Sequence, residues 1–148
     1  MAGPDLKVLT ENQISKDQEA MILDYVGCIA DSVEENNFWV AGQPFFVLFE
    51  HADEEEVCLS LNGWNPKGVV IFGAMCNSQA SHVLLATIAI KIARMTQGFI
   101  ILERITKLTE SAVVLSLEGH IKLNSYDYAV SPGFMCYWVG EPEFRLLK

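Results

Sequence analysis

The stretch GVVIFGAMCNSQASHVLLATIAIKIARMTQGFI, residues 68–100, decides the fold, because it reads as a strand, a polar junction, a helix and the start of another strand. Val69–Met75 is apolar at nearly every position, as a central strand covered on both faces would be. Asn77 or Ser78 is a good N-cap for a helix beginning at the junction. Val83, Leu84, Leu85, Ile88, Ala89, Ile90, Ile92 and Ala93 make that helix apolar almost all round, which places it in the interior. Gly98 reads as its C-cap. FIILERI (99–105) is the next strand.

Working outward, Ser15 with Gln18 three places later is a capping-box pattern. Apolar residues then recur at Met21, Ile22, Tyr25, Val26, Ile29, Ala30 and Val33, one face of a helix whose outer face carries Lys16, Asp17, Glu19, Asp24 and Asp31. The run Glu34-Glu35-Asn36-Asn37 closes it. LKVL (6–9), FWVAG (38–42), PFFVLFE (44–50) and EVCLSLNG (56–63) read as strands, with a turn at Gly42-Gln43-Pro44. AVVLSLEGHIKL (112–123) reads as one or two strands broken at Gly119. Ser131-Pro132 opens a short helix with Phe134, Tyr137 and Trp138 on one face, ended by Gly140 and Pro142. The expected fold class is α+β: one domain, 1–148, with a mainly antiparallel sheet packed by two principal helices and a short C-terminal helix.

The chain has 148 residues, 51% hydrophobic, enough for one sizeable core. No apolar run reaches the roughly 18 residues that cross a bilayer, and the N-terminus lacks the apolar region of a signal peptide, so a cytoplasmic protein is expected. A net charge of −9 argues against nucleic acid as a direct partner. Cys28, Cys58, Cys76 and Cys136 show no C-x-x-C spacing, and apolar neighbours suggest buried free thiols.

Cys76 and His82 are the candidates for chemistry. Six positions apart at a helix N-terminus, they have the residue types of a cysteine hydrolase, which needs a thiolate and a base. Helix capping is the preferred account of Asn77, Ser78 and Ser81, and local packing or hydrogen bonding that of His82. His51 with Asp53 and Glu54 lacks the spacing of a metal site, and no Walker loop or dinucleotide fingerprint is present. The expectation is no catalytic residue, no metal and no cofactor.

The strongest feature outside the core is acidic. Glu50, Asp53, Glu54, Glu55 and Glu56 lie within seven positions, with Trp39 and Trp64 near the same extended segments. Such a run is a solvated turn or a docking surface for Lys and Arg of a partner, and aromatics beside charge are the composition of interface hot spots. Glu50, Asp53, Glu54, Glu55, Glu56 and Trp64 are therefore the candidate partner-binding residues.

The segment GWNPKGVVIFGAMCNSQASHVLLATIAIKIARMTQGFI and the ending FMCYWVGEPEFRLLK resemble a bacterial domain family of unassigned function. That family shows a GW-P turn, a strand ending in CN, a DH-LL helix and an FL-W-hP-F-K terminus. Ser81 stands where the pattern has an acidic residue, and Glu141 where it has a histidine. The family looks like the small acidic immunity proteins of bacterial toxin systems, including contact-dependent growth inhibition. The resemblance implies a protein that binds a cognate toxin, a basic ribonuclease domain, and blocks its active site. From charge and hydropathy, no direct contact with nucleic acid or membrane is expected, and the oligomeric state is left open. The alternatives are a small cysteine enzyme using Cys76 and His82, or a structural adaptor.

Overall fold

The computed structural model describes residues 3–52, 66–103, 120–122, 127–142 and 144–146. In chain order these form β1 (Asp5–Thr10), α1 (Lys16–Ile29), β2 (Ser32–Glu34), β3 (Asn37–Val40), β4 (Gln43–His51), β5 (Gly68–Ala74), α2 (Gln79–Thr96), β6 (Phe99–Glu103), β7 (His120–Lys122), β8 (Asp127–Val130) and α3 (Pro132–Val139). The strands make one eight-stranded sheet in the order β2-β3-β4-β5-β1-β6-β8-β7. Every neighbouring pair is antiparallel. The expected α+β fold is the observed one, and β5 is central as its unbroken apolar run requires.

The three helices pack on one face of the sheet. Cross-strand registers place Leu6, Val8, Phe45, Val47, Val70, Phe72, Ile100 and Val130 on that face, and all are buried in a single core with Leu85, Ile88, Ala89 and Ile92 of α2. Each fully buried Leu or Ile contributes roughly 1.5–3 kcal/mol, so this stripe of α2 is a principal source of stability. The helix is not buried all round: Val83, Thr87, Lys91 and Arg94 are exposed and form its solvent edge. Ile22 and Val26 of α1 and Phe134, Met135 and Trp138 of α3 close the core on either side.

Caps follow the sequence signals. Ser15 and Gln18 make the full capping box, Ser78 caps α2 by accepting from the Ser81 amide, and Ser131 caps α3 by accepting from the Phe134 amide. The C-terminus of α2 differs from expectation. Gln97, with φ 54°, takes the left-handed position, and Gly98 comes one residue later. Gly98 is required by proximity rather than by φ: a Cβ there would lie 2.7 Å from both the Leu9 carbonyl oxygen and Val8 Cγ1.

Other expectations need correction. The first helix stops at Ile29, and Val33, read as part of its apolar face, lies in β2. The Asp31 amide donates to the Trp39 carbonyl, Val33 pairs with Phe38, and Glu34 with Asn37, so Glu35-Asn36 is a hairpin turn and not a helix end. The stacked Phe38 and Phe45 rings, 5.5 Å apart, anchor this hairpin in the core; packing of a β-branched and aromatic ladder overrides helical periodicity there. The next turn is Ala41-Gly42, with φ of 51° and 75°, one residue earlier than read. Met21 and Tyr137 are exposed, and Cys28 and Cys136, expected to be buried, are exposed too. The strand read at 56–63 lies outside the described residues, and of 112–123 only His120–Lys122 lies within them.

Leu85 is fully buried over the sheet centre. Leu85→Ala is expected to cost about 2–5 kcal/mol through the cavity it leaves. A urea titration checks this: the midpoint falls, and an unchanged midpoint would mean that α2 is not packed as described.

Candidate functional site

The sheet face opposite the helices carries a second, half-buried apolar surface. The registers set Trp39, Pro44, Phe46, Leu48 and Ile71 side by side on it. Phe46 lies over Gly73, where a Cβ would come within 2.5 Å of its ring. Glu34 of β2 and Glu50 of β4 share this face, and both are exposed. An aromatic strip rimmed by carboxylates has the make-up of a protein-binding surface.

Of the residues singled out from sequence, Glu50 therefore sits at the rim of this strip. Asp53, Glu54, Glu55, Glu56 and Trp64 lie outside the described residues. Sequence reasoning missed a wider signal that was present in the composition. Positions 17–66 contain eleven carboxylates and not one Lys or Arg, leaving eight carboxylates against all ten basic residues elsewhere. The described part of this stretch supplies α1 and the adjacent strands β2, β3 and β4, so its described carboxylates lie towards one end of the sheet. Asp24, Asp31, Glu34, Glu35 and Glu50 are all exposed there.

The Cys76–His82 region is arranged differently. His82 is 5% exposed. Its Nδ1 accepts from the Leu146 amide at 2.8 Å, and its Nε2 lies 2.7 Å from Asn77 Oδ1. A backbone amide only donates, so Nδ1 carries no proton and Nε2–H donates to Asn77. Gln79 Nε2 donates to the Phe144 carbonyl at 2.9 Å, and Phe144 meets Trp138 edge to face at 5.9 Å. Ser81 donates to Gln43 Oε1, tying the helix start to β4. These polar groups fasten residues 144–146 and β4 to the N-terminus of α2. A general base needs a lone pair aimed at its nucleophile, and the one lone pair of His82 is occupied by Leu146. The local bond to Asn77 agrees with the sequence reading; the bond to Leu146, 64 positions away, was not visible from it.

Among the described residues, no group of three or more His, Cys, Asp or Glu is placed to hold a metal ion. No helix among them is long and apolar enough to cross a membrane.

An antiparallel α+β protein of this kind, with helices on one face and an acid-rimmed apolar strip on the other, is thus the class defined here. The chain belongs to DUF6368, a family of unknown function, whose model matches residues 2–148. Comparison with curated proteins and with solved structures gives no match.

Burial, and secondarily the positive charge of Arg145, hold the His82 imidazole below its ordinary value of 6.5. The unfolded chain then takes up a proton at this position more readily than the folded one. The stabilisation is complete above about pH 6.5 and is lost as the pH falls from there through the lower folded-state value. The wild type should therefore lose more stability between about pH 7.5 and about pH 5.5 than His82→Gln does. Urea midpoints of both proteins at the two pH values check this, and equal losses would contradict it.

Proposed function

We propose that this protein is a non-catalytic inhibitor: an immunity protein that binds a cognate toxin, a basic ribonuclease domain, and covers its active site. The observation that carries the reading is the stretch of fifty positions, 17–66, with eleven carboxylates and no basic residue, of which Asp24, Asp31, Glu34, Glu35 and Glu50 are exposed on α1 and the β2–β4 end of the sheet. A ribonuclease presents Lys, Arg and His to RNA phosphates, and a dense array of carboxylates is the complement of such a surface. Charge complementarity speeds the encounter, and a few buried aromatic contacts supply much of the affinity. In this reading Glu50, Asp53, Glu54, Glu55, Glu56 and Trp64 are among the contacts, and the protein works at a one-to-one ratio in the cytoplasm without a cofactor.

The cysteine-enzyme alternative is disfavoured by the commitment of both His82 ring nitrogens, to Leu146 and Asn77. A structural adaptor would share the acidic surface but would have no single basic enzyme as its partner.

The test is surface plasmon resonance against purified basic ribonuclease toxin domains, at low and moderate salt. Steering charges are screened beyond about 10 Å at about 0.1 M salt, so association should slow as salt rises while dissociation changes little. Replacing Asp53, Glu54 and Glu55 by Ser should slow association and flatten the salt dependence. Identical association rates and slopes would remove this acidic run from the mechanism, and absence of any complex would remove the inhibitor reading.

A further inference from the structure

Resting on the inhibitor reading, the geometry points to a specific anchor: a groove at the β2 edge of the sheet that takes a lysine or arginine side chain from an extended segment of the partner protein.

The groove is a shallow depression of about 430 Å3 lined by Ser32, Val33, Glu34 and Trp39. It forms where it does because of the hairpin register. Ser32 pairs with Trp39 and Glu34 with Asn37, which puts Ser32, Glu34 and Trp39 on the same face, away from the helices. Glu34 and Trp39 are diagonal neighbours across the two strands, a spacing that long and aromatic side chains span. An indole face beside a carboxylate suits a cation with an aliphatic stem. The ring attracts the charged head, the carboxylate pairs with it, and the apolar surface receives the methylenes.

The backbone contributes as well. β2 is the last strand of the sheet among the described residues, and all three of its residues are exposed. Val47 donates to the Asn36 carbonyl, so Asn36, Phe38 and Val40 turn their backbone groups towards β4, and Asn37 and Trp39 turn theirs towards β2. The alternation of an antiparallel ladder then directs the Val33 N–H and C=O outward from the edge. Val33 also keeps 51% of its surface exposed. An edge of three residues is too short to template a long added strand. The side-chain groove therefore carries the contact, and the Val33 backbone fixes its direction.

The sign of the occupant's charge is set by the surroundings. Asp31, Glu34 and Glu35 are exposed around the groove, and the nearest basic residues in sequence are Lys16 and Lys67. No cation of this chain within that interval competes for Glu34. An acidic or purely apolar segment would leave these carboxylates uncompensated.

The experiment uses the full chain, labelled with nitrogen-15, titrated with the capped peptide Gly-Val-Arg-Val-Gly and with its Arg-to-Gln analogue. The arginine peptide should shift the amides of Ser32, Val33 and Glu34 and the indole N–H of Trp39, saturably, and the analogue should not. Glu34→Gln and Trp39→Leu should each weaken binding by roughly two- to fivefold, the size of one exposed ion pair or cation–π contact. Asp17→Asn and Asp24→Asn, at exposed positions of α1, should leave it unchanged. Shifts spread evenly over Asp17, Asp24 and Glu50, indifference to Glu34→Gln and Trp39→Leu, or no shift at all would overturn the groove. The spectra themselves report that each variant is folded. A protein that captures the toxin domain with Glu34→Gln and Trp39→Leu unchanged in dissociation rate loses the groove and keeps the inhibitor reading. Groove-specific shifts in a protein that ignores the toxin do the reverse.

Discussion

The fold depends on one stripe of one helix. Leu85, Ile88 and Ile92 lie fully buried over the middle of the sheet, where Val8 stands between Val70 and Ile100 in the register. β5 and β6 are joined through α2, yet β1 lies between them, so the sheet centre closes only when the N-terminal strand inserts into the gap. Close approach at the end of α2 is part of the same constraint, since Gly98 admits no Cβ against Leu9 and Val8. Once α2 is set, its N-terminus fixes His82, and His82 fixes Leu146. The neutral imidazole there is a structural fastener, and its depressed affinity for protons comes from burial.

Among the described residues, the three helices share one face of the sheet. The helix side is a closed core. The other side, at the β2–β4 end, has Trp39, Phe46 and Leu48 half-buried beside exposed carboxylates. Crowded like charges repel one another in the free protein and cost it stability. In the proposed function a cationic partner would relieve that repulsion on binding, so the distribution that costs the free fold would strengthen the complex. This is the physical link between the charge pattern and the inhibitor reading.

Much of this architecture was legible in the sequence. The apolar run Val69–Met75 marked a central strand, and Ser15, Ser131 and the pair Asn77-Ser78, of which Ser78 is the cap, marked the three helix starts. The end of α1 was misread because Val33 continues a helical periodicity while its real partner, Phe38, is a cross-strand neighbour. Gly98 looked like a C-cap because a glycine wanted for proximity and one wanted for positive φ look the same in sequence. The local bonding of His82 could be read from its neighbours, but the backbone amide that occupies it comes from the far end of the chain. The acidic stretch Glu50–Glu56 stands out in the sequence as a dense run. The broader polarity of positions 17–66 becomes visible only when missing bases are counted along with acids.

If the acidic end of the sheet is the working surface, binding must leave its mark there. Amide hydrogen exchange on the full chain, alone and with the basic ribonuclease domain that the proposed function calls for, tests this most directly. New protection is expected within residues 31–51, which span β2, β3 and β4, with α2 unchanged because its amides are already held in the core helix. Protection confined to the exposed edges of α2 and α3, with residues 31–51 exchanging as in the free protein, would contradict it.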